Sequence, residues 1–86
     1  MPTVRLHGPM VQRAGGVAEH AVDGATVAEL LRGLEGAQPA LRGWILDERG
    51  RLRRHLCAFV AGQDAREETA VAPGDRVDVV QAISGG

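Results

Sequence analysis

The chain contains no lysine and no tyrosine, and its ten basic residues are all arginine. Against 11 Asp and Glu the formal net charge is −1, too small to draw the protein strongly to nucleic acid or to an anionic membrane. The absence of lysine leaves the α-amino group as the one amine, so modification through a lysine of this chain is excluded. A lone cysteine, Cys57, excludes an intrachain disulfide and a cysteine-based metal cluster. The aromatics are Trp44 and Phe59 alone, so the core must be aliphatic. No apolar run approaches the roughly 20 residues of a membrane span, and no signal-peptide pattern opens the chain. A cytoplasmic location, with no membrane partner, is the expectation. Eighty-six residues make one domain, burying only about 60–65% of the unfolded surface.

What is present is patterned. "TVRLHGPM" alternates, Val4 and Leu6 against Arg5 and His7, and predicts a strand over about residues 2–8, extendable to Gln12. "RAGG" is a turn. A weaker strand holding Val17 and Val22 runs to Asp23-Gly24, so the first two strands read as a hairpin on a glycine-bearing loop. "DGATVAELLRGLEG" is the clearest local signal. Thr26 and Glu29 form a capping box, in which Thr26 accepts from the Glu29 N–H and Glu29 reaches back to Thr26. Val27, Leu30, Leu31 and Leu34 then form one apolar helical stripe, and Gly36 is a plausible stop.

Pro39 starts a short helical turn, with Leu41, Trp44, Ile45 and Leu46 directed inward; Trp44 is expected as a core plug beside the helix. "DERG" is a polar turn. Arg49, Arg51, Arg53 and Arg54 read as a solvated loop face in preference to an anion site, and Asp47 and Glu48 as solvated ion pairs in preference to acid–base catalysts. In "RHLCAFVAGQD", Leu56, Ala58 and Val60 share one strand face, Cys57 and Phe59 the other, and Gly62-Gln63-Asp64 turns. "AREETAVAPGD" is a short polar strand or loop closed by Pro73-Gly74, and "RVDVVQAI" is the last strand, Val77 and Val79 alternating with Asp78 and Val80.

A hairpin, a long helix and further strands give an α+β fold: a mixed sheet with one helix on one face, the last strand lying parallel to the first. The other sheet face, carrying Arg5, His7, Cys57, Phe59 and Val80, stays open. It reads equally as a docking surface or as ordinary scattered surface apolars.

The chain ends "AISGG". At the glycine frequency of this chain a terminal Gly-Gly arises by chance about one time in fifty. Such a pair has no side chain to pack and suits a segment that enters something narrow.

Across its whole length the sequence resembles the MoaD/ThiS family of ubiquitin-like, β-grasp sulfur carriers. The resemblance rests on the capped helix "DGATVAELLRGLE" after an N-terminal hairpin, on "RHLCAFVAGQD" as a central strand and turn, and on "APGDRVDVVQAISGG" as terminal strand and tail. "GWILDERGRLRRH" resembles the insertion of the longer carriers. Many relatives have a "VNG" turn where this chain has Val60-Ala61-Gly62.

The resemblance implies a β-grasp domain over residues 1–82, with four to five strands on one main helix, and a flexible tail over residues 83–86. It implies that Gly86 is the activated C-terminus, with Ile83, Ser84 and Gly85 threading a partner's active site, and that Phe59, Val80 and His7 form the docking surface. The chain is then a protein co-substrate, not an enzyme. An E1-like (MoeB/ThiF-type) adenylyltransferase uses ATP to make the acyl adenylate, and a rhodanese or cysteine desulfurase supplies sulfur. A synthase then spends the thiocarboxylate on molybdopterin, thiamin, cysteine, a tRNA or a secondary metabolite.

No bound cofactor is expected, since the chain has no P-loop and no dinucleotide fingerprint. Nor is a metal: His7, His20 and His55 fall on separate segments without ligand spacing. Cys57 reads as a semi-buried strand residue in preference to a nucleophile. Competing functions are a ubiquitin-like protein modifier, the small subunit of molybdopterin synthase, and an inert β-grasp binding module.

Overall fold

The structure, a computed structural model, describes residues 1–81. Its elements are β1 (Thr3–Leu6), α1 (Pro9–Arg13), β2 (Glu19–Ala21), α2 (Val27–Ala37), a single 3₁₀ turn (Pro39–Leu41), β3 (Leu56–Val60), β4 (Gln63–Ala65) and β5 (Arg76–Gln81). The five strands form one sheet in the order β2-β1-β5-β3-β4. β1 and β5 are parallel, with Val4 opposite Val77; the β1–β2, β3–β5 and β3–β4 pairs are antiparallel. The last strand lies parallel beside the first, as expected, and is the central strand of the sheet.

Alternation sets the faces. Val4, Leu6, Leu56, Ala58, Val77 and Val79 are buried beneath the α2 stripe of Val27, Leu30, Leu31 and Leu34. Leu41, Ile45 and Leu46 complete this aliphatic core. Val60, predicted to share the core face, does so only partly, because it sits at the strand end beside the turn.

The start of α2 accounts for its orphan donors. Glu29 N–H donates to Thr26 Oγ1 at 3.2 Å. Val27 and Ala28 N–H donate to the carbonyls of Thr69 and Glu67, so the 67–71 loop completes the cap. Glu29 reaches back one residue further than the capping box predicts, to Ala25 N–H at 2.9 Å. Thr26 is instead paired in a bridge with Ala70. The helix also runs through Gly36 to Ala37 and stops just before Pro39, whose ring disfavours helical backbone at Gln38. At Gly33 a Cβ would lie 3.0 Å from Val22 Cγ1, so the missing side chain lets the end of the β2 segment lie against the helix.

Four further expectations are corrected. The first strand does not extend toward Gln12. Gly8 turns the chain at φ 64° and Pro9 opens α1, which buries Met10 and is followed by the buried Ala14. The hairpin connection thus contains a helical turn. Gln63 and Asp64 belong to β4; the turn is Ala61-Gly62, both left-handed at φ 51° and 83°, the signature of a type I′ hairpin. Trp44 is no core plug: it is 46% exposed. Asp47 is no ion-pair partner but a turn cap, its Oδ1 accepting from Arg49 and Arg51 N–H.

Among the described residues, no helix is long and apolar enough to cross a membrane.

Candidate functional site

β5 is the central strand of the sheet. It is hydrogen-bonded on both sides, and its last residue, Gln81, still faces Leu56 of β3. The expectations on Ile83, Ser84, Gly85 and Gly86 lie outside the described residues.

The open sheet face is built from the alternate residues of the same strands. Cys57 lies directly opposite Val80, and Phe59 opposite both Asp78 and Asp64. Phe59 and Val80 are thereby diagonal neighbours, within reach of each other across the β3–β5 pair. All three apolar or thiol side chains are half-buried. His7, just past β1, joins them through its imidazole: Nε2 lies 2.9 Å from Asp78 Oδ1. The structure thus places Phe59, Val80 and His7 on one face. No element is layered over it among the described residues.

Asp78 organises the polar half of the face, a role its place in a Val-rich strand did not announce. Its side chain is 14% exposed. Burial pushes its carboxyl pKa up, but the hydrogen bond to His7 and the charge and hydrogen bond of Arg76 outweigh burial and hold it below the usual carboxylate range. Arg76 Nε donates to Asp78 Oδ2 at 3.2 Å. Arg5 pairs with Glu19 of β2 next to this group. The face therefore carries an apolar cluster of Cys57, Phe59 and Val80 on β3–β5, bordered by Arg76 and Asp78 of β5 and by Arg5 and Glu19 of β1–β2.

Two glutamates that sequence reasoning passed over hold the long connection between α2 and β3. Glu35 Oε2 accepts from Ile45 N–H (3.1 Å) and Leu46 N–H (2.9 Å). Glu67 Oε2 accepts from Leu52 N–H at 2.8 Å, and that hydrogen bond is the main cause of its lowered pKa. Neither carboxylate has a local sequence signal, since each partner lies 10 or more residues away.

The three histidines stay apart: His20 Nε2 contacts the Val17 carbonyl, and His55 lies beyond the arginine loop. Cys57 is a free, half-buried strand residue. No triad of acid, base and nucleophile is assembled among the described residues.

A family model described as the ThiS family matches residues 4–86. Small archaeal modifier protein 1 of Haloferax volcanii is 38% identical over 66 residues, 76% of each chain. The crystal structure of SAMP1 from Haloferax volcanii superposes with a TM-score of 0.80 at 32% identity, covering 99% of this chain and 98% of that one. A chain of the Amycolatopsis orientalis BexX/CysO complex gives a TM-score of 0.86 over 100% of both chains; at 24% identity it shows the shared fold alone. With the central parallel β5, the capped helix and the family match through its last residue, the chain belongs to the ThiS family of β-grasp, ubiquitin-like sulfur carriers.

Proposed function

We propose that Gly86 is adenylated by a separate E1-like (MoeB/ThiF-type) enzyme and converted to a thiocarboxylate that donates sulfur in a biosynthetic pathway. The observation that carries this reading is the family match, which runs through the Gly85-Gly86 pair. A carboxylate is a poor electrophile at neutral pH. Attack of its oxygen on the α-phosphorus of ATP releases pyrophosphate and makes an acyl adenylate. A persulfide sulfur from a rhodanese or cysteine desulfurase attacks the carbonyl carbon, and AMP leaves with the C–O electron pair. A second thiol cleaves the S–S bond, giving the thiocarboxylate and a disulfide. Gly85 and Gly86 suit the narrow part of such a site because neither has a Cβ. The open face of Phe59, Val80 and His7 is the surface on which the activating enzyme docks.

The test is ATP–pyrophosphate exchange with the cognate adenylating enzyme, followed by mass spectrometry for replacement of one oxygen by sulfur. A chain extended by one alanine after Gly86 loses exchange. Normal exchange by the extended chain refutes the assignment of Gly86.

A second reading, ubiquitin-like protein modification, is favoured by the 38% identity to a protein named as a modifier. It predicts adducts in the native host that survive reducing, denaturing gels and vanish when Gly86 is deleted.

A further inference from the structure

A cleft of about 450 Å³ opens between α1 and the 3₁₀ turn, and neither Phe59 nor Val80 lines it. Its described lining is Pro9, Met10, Gln12, Arg13, Ala40, Trp44, His55 and Gln81. Met10 is buried and forms floor; Trp44, the chain's only tryptophan, is a half-exposed wall. The Arg13 guanidinium lies 3.7 Å from the Trp44 ring centroid, a cation–π contact that braces both side chains. Arg53 Nε donates to the Gly43 carbonyl and ties the tryptophan-bearing turn to the arginine loop.

Three features define the occupant. The floor is apolar. The wall carries one formal charge, the Arg13 guanidinium, and no carboxylate is among the described lining residues. Finally, Gln81 borders the cleft, and Gly86 follows five residues later. Five residues span at most about 18 Å, so an enzyme that receives Gly86 must bring its own surface close to this cleft. A nucleic acid fits poorly, since its affinity needs many phosphate contacts and the chain's net charge is −1.

We propose that this cleft receives a segment of the adenylating partner that carries an apolar side chain flanked by carboxylates. The apolar residue packs on Met10 and Trp44, and a flanking carboxylate faces Arg13. This rests on the reading of the chain as a carrier activated by a separate enzyme. Tryptophan and arginine are the residue types that most often anchor interfaces.

The probe is a capped pentapeptide with a central leucine flanked by aspartates, compared with its lysine-flanked counterpart. ¹H–¹⁵N spectra of the full chain report binding, with the Trp44 indole N–H as the local signal. The acidic peptide is expected to shift that signal and the amides of Met10, Arg13 and His55 saturably, while the lysine peptide does not. Arg13→Glu weakens binding about tenfold or more, whereas the same charge change in Arg66→Glu, outside the cleft, leaves it unchanged. Equal binding of the lysine peptide, or shifts centred on Phe59, overturns the proposal. So does about tenfold tighter binding by a chain ending at Gln81, which would make the chain's own last residues the occupant. In the exchange assay, Arg13→Glu and Trp44→Ala raise KM for the carrier and leave kcat intact; an unchanged KM overturns the proposal. If the parent chain is never adenylated, the carrier reading fails, while the peptide spectra still decide the cleft.

Discussion

Replacing Glu35 by alanine removes one oxygen on which two backbone groups depend. Glu35 Oε2 is the partner of both Ile45 N–H and Leu46 N–H, on residues that are buried. A hydrogen bond to a charged acceptor contributes about 1.5–3 kcal/mol, and a buried donor left without a partner costs about 1–3 kcal/mol. Two such donors set an upper bound near 6 kcal/mol. Local opening of the loop lets water reach one or both, so Glu35→Ala is expected to cost about 2–4 kcal/mol. Glu35→Gln keeps an acceptor oxygen without the charge and is expected to cost about half as much. Urea denaturation reads the total: with a slope near 1 kcal/mol/M for a domain this small, the alanine midpoint falls by about 2–4 M. Amide exchange reads the mechanism, since protection should collapse at Ile45 and Leu46 before it does in β5. A loss below about 0.5 kcal/mol with both amides still protected refutes the argument, because it would mean that the two donors are satisfied without the carboxylate.

Three further outcomes are expected. Ala61 holds a left-handed backbone at φ 51°, so Ala61→Asn should stabilise the domain by about 0.5–1 kcal/mol in the same denaturation assay. Asp78, Glu67 and Asp47 have carboxyl pKa values below their ordinary range, so each contributes stability that is present above the unfolded-state pKa and lost as pH falls through the lower folded-state value. Thermal melts should therefore fall progressively below about pH 5, and Asp78→Asn should make that fall shallower. Phe59→Ala should leave the domain folded and raise the carrier's KM in the exchange assay by about tenfold or more, whereas Leu56→Ala, on the buried face, should cost about 2–5 kcal/mol of stability. The reverse pattern would mean that the two faces of β3 are exchanged.

Local chemistry made much of this protein legible in its sequence. Thr26 and the Val27, Leu30, Leu31, Leu34 stripe specify α2 because capping and helical periodicity involve residues within a turn or two of each other. Alternation alone assigned Leu56, Ala58, Val77 and Val79 to one face and Cys57, Phe59 and Val80 to the other, because strand side chains have a period of two. The parallel placement of β1 beside β5 also followed, since a helix between strands supplies the crossover that parallel pairing needs.

Tertiary structure alone decided contacts between residues far apart in the chain. Glu35 and Glu67 carry no local pattern marking them as acceptors for Ile45, Leu46 and Leu52. The His7–Asp78 contact joins residues 71 positions apart, and it exists because β1 and β5 pair in one register. Helix α1 was hidden because "TVRLHGPM" begins as a good strand, and the left-handed Gly8 and the burial of Met10 redirect it. Trp44 fails as a core plug for the same kind of reason. Hydrophobicity marks it for burial, but the space beneath α2 is already filled by Leu41, Ile45 and Leu46, so the indole stays half-exposed beneath Arg13. Periodicity fixes which side of an element a residue faces; the packing of the other elements determines whether anything covers it.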